Sequence, residues 1–284
     1  MVQLCAAALS NGYIKGFAEG RIFTGPSKSV CVPGLNCYSC PGALGSCPIG
    51  ALQATLGSAE YKMAFYVFGF LMIIGAFFGR LVCGWLCPFG LVQDLLYKIP
   101  FVKKIKRVPG DKWLRKTKYV ILALFVILLP MFITDFIGQG KPWFCEYICP
   151  QGTLEAGIPL ILLNKGLRAA LGWLYVWKLF ILAVIIVLSL MIYRPFCRYL
   201  CPLGAVYGFF NPAALYRFTV DIDKCIRCGI CENTCKLDIK VYEKPNSFEC
   251  IRCGDCKKAC PQGAITNISV CRSKSKVKTN DGRI

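Results

Sequence analysis

Three long apolar runs stand out along the chain. Residues 63–79 reach Arg80 without a charge; residues 119–137 contain Pro130; residues 173–193 carry one charge, Lys178. Each approaches the roughly 20 apolar residues that a helix needs to cross a bilayer. Three such runs in 284 residues, with 56% hydrophobic content and a mean hydropathy of +0.52, argue against an ordinary soluble domain. A fourth stretch, residues 2–14, is apolar but is cut short by Lys15, Glu19 and Arg21. It fits a short, tilted or re-entrant helix, or a chain whose native start lies upstream. No basic segment precedes it, so a cleavable signal peptide is not expected.

The formal charge of +19 points first to nucleic acid, but its distribution points to topology. Lys98, Lys103, Lys104, Lys106, Arg107, Lys112, Arg115, Lys116 and Lys118 lie between the first and second runs, whereas the next connection holds only Lys141, Lys165 and Arg168. The positive-inside rule makes the first connection cytoplasmic and the second external. The C-terminal region is then cytoplasmic, and no nucleic acid is expected as a partner. The basic tail (Arg272, Lys274, Lys276, Lys278, Arg283) either touches anionic lipid or an acidic redox partner, or is a solvated end. Histidine is absent, which excludes His-ligated haem and Rieske centres within the chain.

Near the C-terminus, Cys225, Cys228, Cys231 and Cys235 form one C-x2-C-x2-C-x3-C run, and Cys250, Cys253, Cys256 and Cys260 form a second, which ends in Pro261. This is the spacing of bacterial two-cluster ferredoxins, in which the fourth cysteine of each run serves the other cluster. One [4Fe–4S] cluster is therefore expected on Cys225, Cys228, Cys231 and Cys260, and the other on Cys250, Cys253, Cys256 and Cys235. Gly229 and Gly254 follow the second cysteine of each run, where backbone must curl close to sulfide. Lys236 stands where proline would follow the first run. A zinc ribbon or disulfide knot fits two tandem copies poorly.

Of 20 cysteines, eight lie in those runs. Six more form three C-x3-C-P pairs: Cys83/Cys87, Cys145/Cys149 and Cys197/Cys201. Cys31, Cys37, Cys40 and Cys47 cluster near the N-terminus, and Cys5 and Cys271 are unassigned. One phrase, Cys-Pro-x-Gly-x-aliphatic, begins at Cys47, Cys87, Cys149, Cys201 and Cys260. Proline suits the first turn of a new helix, so each phrase reads as a ligand cysteine at a turn before a short helix.

On the expected topology these motifs alternate sides, giving two similar halves about a pseudo-twofold axis. Cys83, Cys87, Cys197 and Cys201 gather at the inner level as the ligands of one metal centre. At the outer level the preferred set is Cys37, Cys40, Cys145 and Cys149, with a self-contained set that includes Cys31 and Cys47 as the alternative. Disulfides on the outside, or plain packing of buried thiols, are competing readings. Arg80, Arg194 and Arg198 beside the inner motifs either stabilise a negatively charged cluster or anchor helix ends at the interface. Asp135 is a weak candidate for handling protons or ions.

The C-x3-C-P motifs at the ends of apolar runs, with Cys83-Gly84-Trp85-Leu86-Cys87-Pro88 and Cys197-Arg198-Tyr199-Leu200-Cys201-Pro202 ahead of the eight ferredoxin cysteines, resemble the NapH/NosR family of membrane-bound polyferredoxins. The resemblance covers most of the chain from about Tyr61 onward. It implies an integral membrane protein that passes electrons between a cytoplasmic or quinone pool and a partner across the membrane. Family members typically carry two C-x3-C-P pairs, so Cys145/Cys149 and the N-terminal cysteines look like an additional relay centre. Some relatives carry an outer flavin domain; its absence from this sequence makes a separate outer-face flavoprotein or reductase the expected partner.

The expected fold is thus an α-helical integral membrane protein of three to four spans in two pseudo-repeats, followed by a small α+β two-cluster ferredoxin domain. The expected division is 1–212 for the membrane part, 213–270 for the ferredoxin and 271–284 for the basic tail. The expected function is a multi-pass cell-membrane electron relay, a subunit of an oxidoreductase system with no catalytic pair of its own. It would carry two ferredoxin clusters and one further iron–sulfur cluster at each membrane face. A membrane thiol–disulfide relay and an iron–sulfur sensor are the rival readings.

Overall fold

A computed structural model describes residues 2–58, 64–100, 103–135, 139–169 and 171–268. Cys271 and the basic tail lie outside the described residues. All three apolar runs are helical. The first forms Ala64–Phe78 and the third Trp173–Met191. The second belongs to a helix over 111–132 that widens into a π-helical stretch at Leu122–Leu128. Pro130 explains the widening, because its ring clashes with the carbonyl one turn back and it offers no N–H. The same pairing recurs at Thr153–Gly157, ahead of Pro159. Among the described residues only Trp173–Met191 is long and apolar enough to cross a membrane; Phe65–Phe78 is a shorter apolar helix. The N-terminal helix Val2–Ser10 is too short to span and lies against the first half, where Gln3 donates to the Cys87 carbonyl at 3.1 Å.

Two halves repeat one plan. Ala64–Phe78 leads to the short helix Leu81–Trp85, then Cys87, then Pro88–Lys98; Trp173–Met191 leads to Pro195–Tyr199, then Cys201, then Pro202–Phe210. Their packing is exchanged. The helix after Cys87 lies on Trp173–Met191, and the helix after Cys201 lies on Ala64–Phe78. At the centre Phe89 meets Phe196 edge-to-face at 5.1 Å. Gly75 lets the Phe210 ring close on the first helix, since a Cβ there would lie 2.5 Å from it.

The cysteine–proline phrase has one local structure. Cys47, Cys87, Cys149 and Cys201 are all extended N-cap residues, with proline opening the helix that follows. The fifth copy departs from this. Cys260 is extended too, but Pro261 enters a turn, Gly263 takes φ +59°, and the chain becomes a strand. That strand, β2 (Ile265–Ile268), pairs antiparallel with β1 (Arg217–Val220). Between them lie the short packed helices Ile230–Thr234 and Asp255–Ala259, whose N-caps Gly229 and Gly254 take φ of +75° and +85°. Such left-handed backbone is strained for any residue with a Cβ.

The ferredoxin unit is seated on the inner motifs by buried polar side chains. Asn211 donates to the carbonyls of Ser247 and Cys250 at 2.8 and 2.7 Å and accepts from the Arg80 amide at 3.0 Å. Arg252 donates to the carbonyls of Phe78 and Asn211. Glu249 receives both Arg80, at 2.7 Å, and Lys118. The basic connection joins this seam: Lys106 and Arg115 donate to the carbonyls of Asn233 and Leu237, and Arg107 pairs with Glu232 and Asp238.

Candidate metal centres

All nineteen described cysteines are free thiols. In the ferredoxin unit a small cavity of about 20 Å³ is walled by Cys225, Cys228, Cys231 and Cys260. This is one of the two ligand sets expected from spacing. In the other set, Cys256 lies within electrostatic reach of Cys250, Cys253 and Cys235. Burial first, and then these neighbours, push the Cys250 thiol to about 11 and the Cys256 thiol to about 12. Crowded thiolates are unfavourable unless a cationic core neutralises them, so the donor set suits iron–sulfur. Among the described residues no three Cys, Asp or Glu side chains stand close enough to hold a single ion. A cubane spreads its thiolates wider than a lone ion does.

The inner motifs converge. Cys201 lies within reach of Cys83, Cys87 and Cys197, one pair from each half. Arg80, Arg194 and Arg198 are each only 1% exposed, so they are not interfacial anchors. They brace these turns. Arg80 donates to the Cys197 carbonyl and Arg194 to that of Cys83, while Asp94, Glu249 and Asp111 pair with the three guanidiniums.

The outer thiols gather differently from the preferred expectation. Cys145 is within reach of Cys149, Cys47 and Cys37, and Cys149 of Cys47 and Cys37. The Cys37 sulfur lies 3.5 Å from where a Cβ of Gly152 would stand. Cys47 caps the helix Pro48–Leu56, in whose first turn a Cβ on Gly50 would lie 3.8 Å from the Cys145 sulfur. Cys40 instead turns its sulfur toward Asn11 Oδ1 at 3.6 Å. Cys31 has Cys47 as its thiol neighbour. Asp135, the candidate for handling protons, forms an exposed ion pair with Lys141 at 3.6 Å.

The residues missed in the sequence sit at the seventh position of the same phrase. Gln53 donates to Cys145 Sγ at 3.2 Å and accepts from the Phe144 amide at 2.9 Å. Gln93 repeats this at Cys197 Sγ, 3.2 Å, and the Phe196 amide, 3.2 Å. In the other two helix-capping copies the seventh residues are Glu155, which accepts from the Cys37 amide, and Tyr207, which donates to the Pro33 carbonyl. Extending the phrase by one residue would have exposed them.

The segment 33–37 runs between the two levels. The Leu35 amide faces the Cys87 thiol and the next amide, of Asn36, faces the Cys47 thiol, each favouring the thiolate. Gly34 permits this approach: a Cβ there would lie 3.0 Å from Cys87 Cα. On the opposite side of the inner centre, the Ile251 carbonyl would lie 2.5 Å from a Cβ at Gly84. The ferredoxin loop that carries Cys250 and Cys253 therefore rests on the backbone between Cys83 and Cys87.

A 4Fe-4S binding domain family matches residues 63–109, 119–160 and 174–218, and a second 4Fe-4S binding domain family matches 244–266. An uncharacterised protein of Methanocaldococcus jannaschii is 30% identical over 61% of this chain and 66% of its own length. The methylamine utilization ferredoxin-type protein MauN of Methylorubrum extorquens is 29% identical over 68% of this chain and 58% of its own. The regulatory protein NosR of Pseudomonas aeruginosa is 28% identical over 55% of this chain and 20% of its own. The chain thus spans less than two thirds of these relatives. No solved structure matches. With the two domain families and these relatives in agreement, the chain belongs to the NapH/NosR-like polyferredoxin family and is an iron–sulfur electron-transfer protein.

Proposed function

We propose that the chain is a membrane-embedded electron relay with four [4Fe–4S] sites in series. The sites would be held by Cys225, Cys228, Cys231 and Cys260; by Cys235, Cys250, Cys253 and Cys256; by Cys83, Cys87, Cys197 and Cys201; and by Cys37, Cys47, Cys145 and Cys149. When bound, such clusters supply one-electron storage at each site. Everything else falls to the chain. It spaces the sites, donates N–H groups to their sulfurs and excludes water from the inner site, whose four cysteines are all buried.

The observation that carries this reading is the close approach of segment 33–37 to both membrane-level sets: a Cβ on Gly34 would lie 3.0 Å from Cys87 Cα, and the next two amides face Cys87 and Cys47 in turn. Tunnelling falls steeply with distance, and a single peptide link keeps the two sets close. The contact of Ile251 with Gly84 supports the preceding step.

A membrane setting is supported by the large apolar side chains that the three helices leave uncovered: Phe65 is 81% exposed, Phe132 78% and Trp173 80%. The basic connection meets the ferredoxin unit, which fits a shared cytoplasmic side. The protein would lie in the cell membrane, multi-pass, with a cytoplasmic donor or acceptor at the ferredoxin end. An outer-face flavoprotein or reductase would meet it at Cys37 and its neighbours.

Iron and sulfide quantification with EPR on anaerobically purified protein tests this. Four centres require about 16 irons per chain. A count near eight that Cys83→Ala/Cys201→Ala leaves unchanged would reduce the protein to a tethered ferredoxin.

A further inference from the structure

The outer thiols border far more space than iron–sulfur chemistry requires. The cavity at the first ferredoxin set measures about 20 Å³, whereas the chamber lined by Cys37, Cys47, Cys145 and Cys149 measures about 1190 Å³. Exposed Tyr38 and Ser29 belong to its lining, so it reaches the surface.

The chamber is charged. Its lining holds two ammonium groups, Lys28 and Lys178, against one carboxylate, Glu146. Lys178 is engaged by the Cys145 carbonyl at 3.3 Å. Lys28 is only 4% exposed, and its Nζ has no hydrogen-bond partner. It stands 4.9 Å from the centroid of the Tyr38 ring. A buried ammonium without an acceptor is unfavourable, because it has given up water without gaining a hydrogen bond in return. The Cys40 and Cys37 thiols lie within its electrostatic reach and favour its charge, but neither accepts a hydrogen bond from it. The other outer thiols have donors of their own: Gln53 at Cys145, the amides of Asn36 and Gly50 at Cys47, and that of Gly152 at Cys149.

We propose that this chamber binds a small anionic molecule, bearing a carboxylate or an inorganic oxyanion, with Lys28 as its anchor. The proposal rests on reading the four outer thiols as a metal centre, and it places a small-molecule site beside that centre. Lys28 supplies charge-assisted donors, and the Tyr38 ring supplies a flat apolar wall.

Calorimetric titration of the anaerobic, fully loaded protein with acetate, benzoate and sulfate tests it. The EPR spectrum of the outer centre is recorded in parallel after electrochemical reduction, so that no anionic reductant is added. At least one of the three anions is expected to bind once per chain and to shift that spectrum. Lys28→Met should weaken binding by about tenfold or more, with Lys28→Arg retaining it. Absence of saturable binding by all three, or equal binding in Lys28→Met, would overturn the proposal. So would a Lys28→Met variant that shifts only the midpoint potential, since Lys28 would then merely offset cluster charge. An outer-centre signal that persists without anion binding leaves the relay standing and removes only the chamber's role; loss of that signal from the wild-type protein removes the relay reading itself.

Discussion

Arg80 donates to the carbonyl of Cys197 at 3.0 Å, across the boundary between the two halves. Arg194, three residues before Cys197 as Arg80 is before Cys83, returns the bond to the Cys83 carbonyl. Each half thus orients the other's first inner thiol. Arg80 also grips Glu249, which precedes the ferredoxin ligand Cys250, so one guanidinium spans both sides of the step between them.

Arg80→Met should therefore be severe. It leaves Glu249 with Lys118 alone inside the seam, and removing one partner of a buried ion pair costs about 3–5 kcal/mol. Thermal unfolding of the loaded protein is the measurement. Arg80→Met/Glu249→Gln should lose clearly less than the sum of the single variants. Full additivity would mean that the two side chains do not interact.

The outer set can be separated by single substitutions. Cys47→Ala should remove about four irons per chain, the content of one cubane, whereas Cys40→Ala should remove none. Iron and sulfide analysis decides it. The opposite result would favour Cys40, whose sulfur points at Asn11.

Gln53 and Gln93 should tune potential rather than assembly. A hydrogen bond to a cluster sulfur stabilises the reduced, more negative state. Losing roughly 1 kcal/mol of such a bond corresponds to a fall of about 40 mV for one electron. EPR-monitored redox titration should find the inner centre lowered in Gln93→Leu and the outer centre in Gln53→Leu, each with the other centre unmoved. A shift of both centres in either variant would point to general loosening.

Gly84→Val tests the step into the inner site. The new side chain would collide with the Ile251 carbonyl, 2.5 Å from its first carbon, and lift the ferredoxin loop away. The eight ferredoxin irons should remain, while stopped-flow reduction of the inner centre slows by at least tenfold, since tunnelling is steep in distance. An unchanged rate would mean that electrons enter by another route.

Much of this arrangement was legible in the spacing of cysteine, proline and glycine. A proline directly after cysteine both caps a helix and fixes the thiol's direction, so Cys87, Cys149 and Cys201 announced themselves. The membrane-level partners of Cys47 did not. Cys37 and Cys40 are separated by one tight turn, and only the fold decides which of the two faces Gly152. Asn211 and Arg252 were invisible for a related reason: their partners are backbone carbonyls, which every sequence offers everywhere. The apolar runs announced helices but not the widened turns before Pro130 and Pro159, which arise from packing a proline ring inside a continuing helix.

The adjacent amides at Leu35 and Asn36 leave no slack between the levels that they touch. A joint one peptide long cannot hinge open to break contact and swing shut to restore it, as a loop hanging between domains could. On the proposed relay, traffic across that junction would be ungated, and throttling it would fall to whatever docks at either terminus of the route.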